Sequence, residues 1–296
     1  MLEFNPRSRF VVAVKLAPAS ITAAVTDLDA EVVGFVERPI GAKLSEGAVR
    51  QQISEAVYAV VSDCRVSMDR VIGVGVAVPG IVDSRTGVSI SPQFFLWQNL
   101  PLRNLLEEEF GVPVFIDNDA NAATLAEKLR GHGRQVSDFV CVTIGIGIGA
   151  GIIIDNKLYR GAVAGAGEIG HITIQEDGPE CTCGNRGCLE RYLSLEAYER
   201  RTKQIGVEGW IAETVPLFRS AIVTIENLFD PETIIIGGLA NESLLARLVA
   251  AAQPLNNSIS KRENRKAPRL MHSTVGNDAV CPLYTSDAAD DLPLVT

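Results

Sequence analysis

The chain has 296 residues, and 36 acidic residues against 27 basic ones give it a formal charge of −9. Nearly half of it is apolar, enough for two compact lobes, and the acidic balance excludes a chain that grips nucleic-acid phosphates with its own surface. No basic segment leading into an apolar stretch opens the sequence, and the longest uncharged run, FVCVTIGIGIGAGIII, is too short and too glycine-rich to span a bilayer. A cytoplasmic location is expected, where six cysteines argue for metal binding over disulfides.

In chain order, FVVAVKL, ITAAVTDL and EVVGFVERP read as three strands, with APAS and LDA as the breaks. SEGAVRQQISEAVYAVVSDC has helical spacing, with Ser45 as N-cap. VIGVGVAV is a buried strand running into a turn, PGIVDSRTG. LRNLLEEEFG is a helix ending at Gly111, PVFI a short strand, and NDANAATLAEKLRG another helix.

The second half restarts the pattern. FVCVTIGIGIGAGIIID is strand, glycine turn and strand, and NKLYRG is a turn. WIAETVPLFRSAIVTIENLF is a long helix, DPETIIIGG a turn and buried strand, and ESLLARLVAAAQ a helix. The repetition predicts an α/β protein of two related lobes, residues 1–118 and 119–280, with a cleft between them. The basic stretch KRENRK (Lys261–Lys266) reads as a solvated surface segment.

One window is chemically dense. His171, Cys181, Cys183 and Cys188 fall close together, and Gly184 and Gly187 allow the chain to turn back on itself. Thiolates with one imidazole suit a tetrahedral zinc ion, and four protein ligands leave no open position, so the site reads as structural. The competing reading is three buried thiols and a core histidine. Cys64, Cys141 and Cys281 read as ordinary thiols. Trp97 could pack over the cleft or within a core.

GVAVPGIVD, IDNDANAATLAE, IGIGIGAGIII, GEIGHITI and CTCGNRGCLE occur in the order and at the spacing of the ROK family of repressors, open reading frames and kinases, which the chain resembles from about residue 4 to about residue 280. The resemblance implies a two-lobed actin/hexokinase-like (ribonuclease H-like) fold with a sugar held between the lobes. It implies that Asn118 and Asp119 bind hydroxyls on one side of the ring and that Glu168, His171 and Glu190 bind those near the anomeric end. Gly80 of VPG would let backbone approach. Helix capping is the plainer role for Asn118 and Asp119. His171 could serve both sites, one ring nitrogen on zinc and the other facing the sugar.

The family contains sugar kinases and sugar-responsive regulators. Kinase members, which use ATP and Mg2+ and for which Asp119 would be the catalytic base, carry an Asp-x-Gly-Gly-Thr type loop in the first hairpin. Here Lys15, Leu16, Ala17, Pro18, Ala19 and Ser20 stand there, and Ile146 replaces a threonine in the glycine turn. IIIGG (Ile234–Gly238), on the adenosine side, persists. A sugar-binding, dimerising domain of a transcriptional regulator is therefore expected, reaching DNA through a winged helix-turn-helix domain that this sequence lacks. An ATP-dependent sugar kinase is the alternative. CPLYTSDAADDLPLVT replaces the small-residue helix expected at the end, and residues 281–296 read as a non-native tail.

Overall fold

The computed structural model describes residues 4–41, 43–91, 95–238, 242–260 and 265–275; the tail 281–296 and Cys281 lie outside them. The chain divides into two compact units. One runs to Leu129 and takes in Ala162–Gly165; the other holds Arg130–Gly161 and, from Ala166, the rest of the described residues.

The first unit opens with an antiparallel meander, β1 (Phe10–Leu16), β2 (Ser20–Asp27) and β3 (Val32–Pro39). Helix α1 (Glu46–Asp63) then leads to β4 (Val71–Val78), which lies parallel to β1. A small hairpin of β5 (Ile81–Asp83) and β6 (Val88–Ser91) precedes α2 (Leu102–Phe110). Strand β7 (Val114–Asn118) adds parallel to β4, and α3 (Asp119–Arg130) follows without a loop. The sheet order is β3-β2-β1-β4-β7.

The alternation of the strands explains the core. Val12, Val14, Val74, Val76, Val114 and Ile116 point to one face and pack with Val49, Ile53, Val57 and Val60 of α1. Each such side chain contributes about 1.5–3 kcal/mol on leaving water. Ser45 caps α1 by accepting from Ala48 N, and Gly111 ends α2 at φ +66°, as their sequence positions predict. Trp97 belongs to this core: it is buried, stacks on Phe95 at 4.7 Å and donates its indole N–H to Ser89 Oγ.

The second unit repeats the topology. β8 (Phe139–Ile144), β9 (Ile148–Ile154) and β10 (Lys157–Leu158) form the meander. After α4 (Glu190–Leu193) and α5 (Leu195–Phe229), β11 (Thr233–Gly237) lies parallel to β8. Helix α6 (Glu242–Ala251) leads to β12 (Leu270–His272), parallel to β11, in the order β10-β9-β8-β11-β12.

Four segments differ from expectation. The turn PGIVDSRTG contains β5 and begins the β5–β6 hairpin, and NKLYRG contains β10. Helix α5 starts at Leu195 instead of Trp210 and is interrupted at Gly206, where φ is +71°. Lys261–Asn264 of KRENRK lie outside the described residues, but Arg265 donates to the carbonyls of Glu232 and Ser260 and is built into the fold. Among the described residues no helix is long and apolar enough to cross a membrane.

Candidate functional site

In the first unit the carboxyl ends of the parallel strands β1, β4 and β7 carry Leu16, Val78 and Asn118, the edge at which open α/β sheets bind ligands. Gly80, two residues beyond β4, has φ +91°, and its carbonyl accepts from Asn118 Nδ2 at 2.8 Å. Asn118 Oδ1 accepts from Ala120 N at 2.8 Å and Asn121 N at 3.3 Å. The capping role is therefore real: Asn118 satisfies the start of α3 while pinning the Gly80 turn, and one amide hydrogen remains for a ligand.

Asp119 follows as the first residue of α3, with Oδ1 accepting from Ala120 N at 3.0 Å. Burial pushes its carboxyl above the usual aspartate range, and the charge of Lys15 and the backbone N–H groups oppose that rise. Asp117 went unremarked in the sequence. It is fully buried, and its Oδ1 accepts from Asn118 N at 2.7 Å and Asn121 Nδ2 at 2.9 Å, so it sets the angle at which β7 turns into α3. Its signal was a carboxylate at the end of an otherwise buried strand.

The first hairpin turn closes on itself. Ala17 N donates to Ser20 O at 2.8 Å, Ala19 O accepts from Ile40 N, and Pro18 has no N–H. Two of its amides are thus removed from any phosphate, and Lys15, one residue before the end of β1, stands where kinase members of the resembled family keep a carboxylate.

In the second unit the GEIGH segment lies against β9. A Cβ on Gly167 would sit 1.8 Å from Ala150 O, and one on Gly170 would sit 2.2 Å from Ile148 O, so only glycine permits the approach. Gly167 O accepts from Ala150 N, and Glu168 follows on the exposed side. Glu190, buried at the start of α4, accepts from Ile148 N through Oε2 at 3.0 Å. One of its oxygens thus holds the strand next to the glycine turn. That turn is closed by Gly145 N donating to Gly147 O, and it exposes Ile146.

The cysteine loop is folded back by its glycines. Gly184 and Gly187 have φ of +91° and +66°, and a Cβ on Gly187 would lie 1.6 Å from Gln175 O. The donor atoms of His171, Cys181, Cys183 and Cys188 all lie within 4.8 Å of one another and could hold a metal ion. Cys183 Sγ is 3.6 Å from Cys188 Sγ, and His171 Nδ1 is 3.5 Å from Cys181 Sγ. Bond lengths of about 2.3 Å to sulfur and about 2.0 Å to nitrogen give tetrahedral edges of ~3.8 Å and ~3.5 Å, so these two donor pairs stand close to the spacing that a tetrahedral zinc ion asks for. With Nδ1 turned to the thiols, Nε2 of His171 is left for another partner. Cys64 is half-buried and Cys141 buried, in keeping with ordinary thiols.

Gly80, Asn118 and Asp119 thus come together within the first unit, and Glu168, His171, Glu190 and the three cysteines within the second. The family model for ROK matches residues 11–219. The chain belongs to the ROK family. A xylose repressor of Caldicellulosiruptor bescii is 38% identical over 204 residues, 58% of this chain and 51% of the repressor. The chain thus spans about half the length of that curated relative. A crystallised ROK transcriptional regulator, homologous to the E. coli MLC protein, superposes with a TM-score of 0.81 at 25% identity, covering 94% of this chain and 77% of that one. A ROK glucokinase from Streptomyces griseus, crystallised with glucose and AMPPNP, superposes with a TM-score of 0.77 at 27% identity, covering 92% and 97%. The ROK fold is the α/β, hexokinase-like arrangement of two units, and its relatives include regulators and kinases.

Proposed function

We propose that this ROK chain is the sugar-binding effector domain of a carbohydrate-responsive transcriptional regulator, and that it senses a sugar without phosphorylating it. Asn118 and Asp119, with Gly80 shaping the turn, take hydroxyls on one side of the ring. Glu168, the free ring nitrogen of His171 and the second oxygen of Glu190 take those near the anomeric carbon. The mixture suits hydroxyls, each of which donates and accepts. Zinc is the metal that the His171–Cys181–Cys183–Cys188 donors suit, and when bound it fixes the tautomer and orientation of His171. Sugar closure would bias an upstream winged helix-turn-helix domain in a cytoplasmic dimer, since the acidic chain itself offers DNA little.

The observation that carries the choice of regulator is the first hairpin. Phosphoryl transfer needs a cradle of N–H groups and a metal held by carboxylates. Ala17 N is spent on Ser20 O, Pro18 has no N–H, and Lys15 brings a positive charge. These residues do not fit a magnesium nucleotide. One observation favours a kinase instead: the hydroxyl of Thr143, just before the glycine turn, is buried with no hydrogen-bond partner, and Gly238 packs beside it. A coupled assay for ADP release with D-xylose, D-glucose and their N-acetylated relatives decides between them. The regulator reading expects no turnover above background; turnover abolished by Asp119→Asn would overturn it.

A further inference from the structure

Lys15 has so far counted only against a nucleotide, yet strand register gives it a definite place. It lies opposite Thr22 of β2 and Ala77 of β4, and Ala77 lies opposite Asp117 of β7. Residues so paired project from one face of a sheet. Lys15, Ala77 and Asp117 therefore share the face opposite the main core, which takes Val14, Val76 and Ile116. Ala77 packs against Ala122 of α3, so this is the face that α3 covers, and α3 begins at Asp119. The register thus brings the end of a half-buried lysine toward the helix terminus that carries the enclosed carboxylate. Among the described residues Lys15 has no hydrogen-bond or ion-pair partner, and the Asp119 carboxyl is met by the backbone N–H groups of Ala120 and of Asp119 itself.

The charges at this end of the sheet can be apportioned. Asp117, the other carboxylate on the face, is held by Asn118 N and Asn121 Nδ2. Asn118 and Asn121 are neutral. Lys15 is the charged side chain that bears on Asp119, lowering a carboxyl that burial raises. The two act on each other through charge without forming a direct ion pair.

We propose that Lys15 is a specificity-determining positioning residue of the sensing site: a built-in counter-cation that holds Asp119 as a carboxylate and, with it, receives one hydroxyl of a neutral polyol. The ammonium donates to the hydroxyl oxygen and Asp119 accepts the hydroxyl proton, so the pair matches both halves of one group. A fixed ammonium also repels a divalent cation from that place, which makes the pair selective for free sugar over a metal-bound nucleotide. The inference rests on the sugar-sensing reading of the same site.

The test follows the Asp119 carboxyl by carbon NMR, assigned by its disappearance in Asp119→Asn, alongside calorimetry with D-xylose and D-glucose from about pH 5 to about pH 8. Lys15→Met is expected to raise the Asp119 titration by about one unit or more. It should weaken sugar binding about tenfold at the acid end and less at the alkaline end, because the carboxylate is the binding form. Lys15→Arg should restore both, a rescue that a merely structural role for the side chain would not give. Lys15→Gln serves if the methionine variant fails to fold. An Asp119 titration unchanged by the loss of Lys15 overturns the proposal. A raised titration in a chain that gives no heat with either sugar supports the pairing and counts against the sugar reading instead, so the two failures are told apart.

Discussion

Gly187 and Asp119 show how single residues are committed in opposite directions. At Gly187 a side chain is excluded twice, by φ of +66° and by Gln175 O at 1.6 Å from where its Cβ would be. Gly187→Ala is expected to cost roughly 3 kcal/mol in urea unfolding and to drop bound zinc well below one ion per chain by elemental analysis. A full zinc complement with unchanged stability would show that the loop can relax. Asp119 is instead held in a place that disfavours its charge. A carboxyl whose folded pKa exceeds its unfolded value favours folding fully below the unfolded pKa, and that contribution is lost as pH rises through the folded one. At neutral pH the ionised Asp119 therefore costs stability. Asp119→Asn should melt higher than the parent at pH 7 and converge with it below about pH 4, while losing sugar binding. A variant that melts lower at pH 7 would contradict this.

At the scale of elements, the end of α5 is the anchor of the second unit. Glu226 is fully buried there, takes both prongs of the Arg269 guanidinium and lies 3.6 Å from Arg265. Removing its charge deprives two half-buried guanidinium groups of their shared carboxylate, so Glu226→Gln should lose about 3 kcal/mol in chemical denaturation; a loss under about 1 kcal/mol would mean water replaces the carboxylate. This clamp was not visible in the sequence, because Glu226 lies far from Arg265 and Arg269 along the chain. What was visible were elements with a long period or a capped end: α1 from Ser45, α2 from Gly111, and the valine-rich β1 and β4. Strands β5, β6, β10 and β12 are too short to show an alternation. The polar first half of α5, broken at Gly206, has no continuous apolar stripe to announce it. The cysteine loop was legible because ligand spacing and turn glycines are local. The work of Asp117 was not, since a buried carboxylate gives no local sign of what it bonds.

The whole molecule uses one topology twice, an antiparallel meander followed by two parallel strands, and spends the two copies differently. In the first, the turn after β1 is closed by its own backbone and bordered by Lys15; in the second, the chain after β10 carries Glu168 and leads into His171 and the cysteine loop, whose donors could hold a metal ion. On the proposed reading, the intact features are those that would recognise hydroxyls, and the altered ones are those that would hold phosphates. Calorimetry on the intact chain, titrating D-xylose and then D-glucose before and after addition of Mg-ATP, tests that asymmetry directly. The account predicts a saturable heat with a sugar that Mg-ATP leaves unchanged. Sustained heat of turnover after Mg-ATP, abolished in Asp119→Asn, would contradict it.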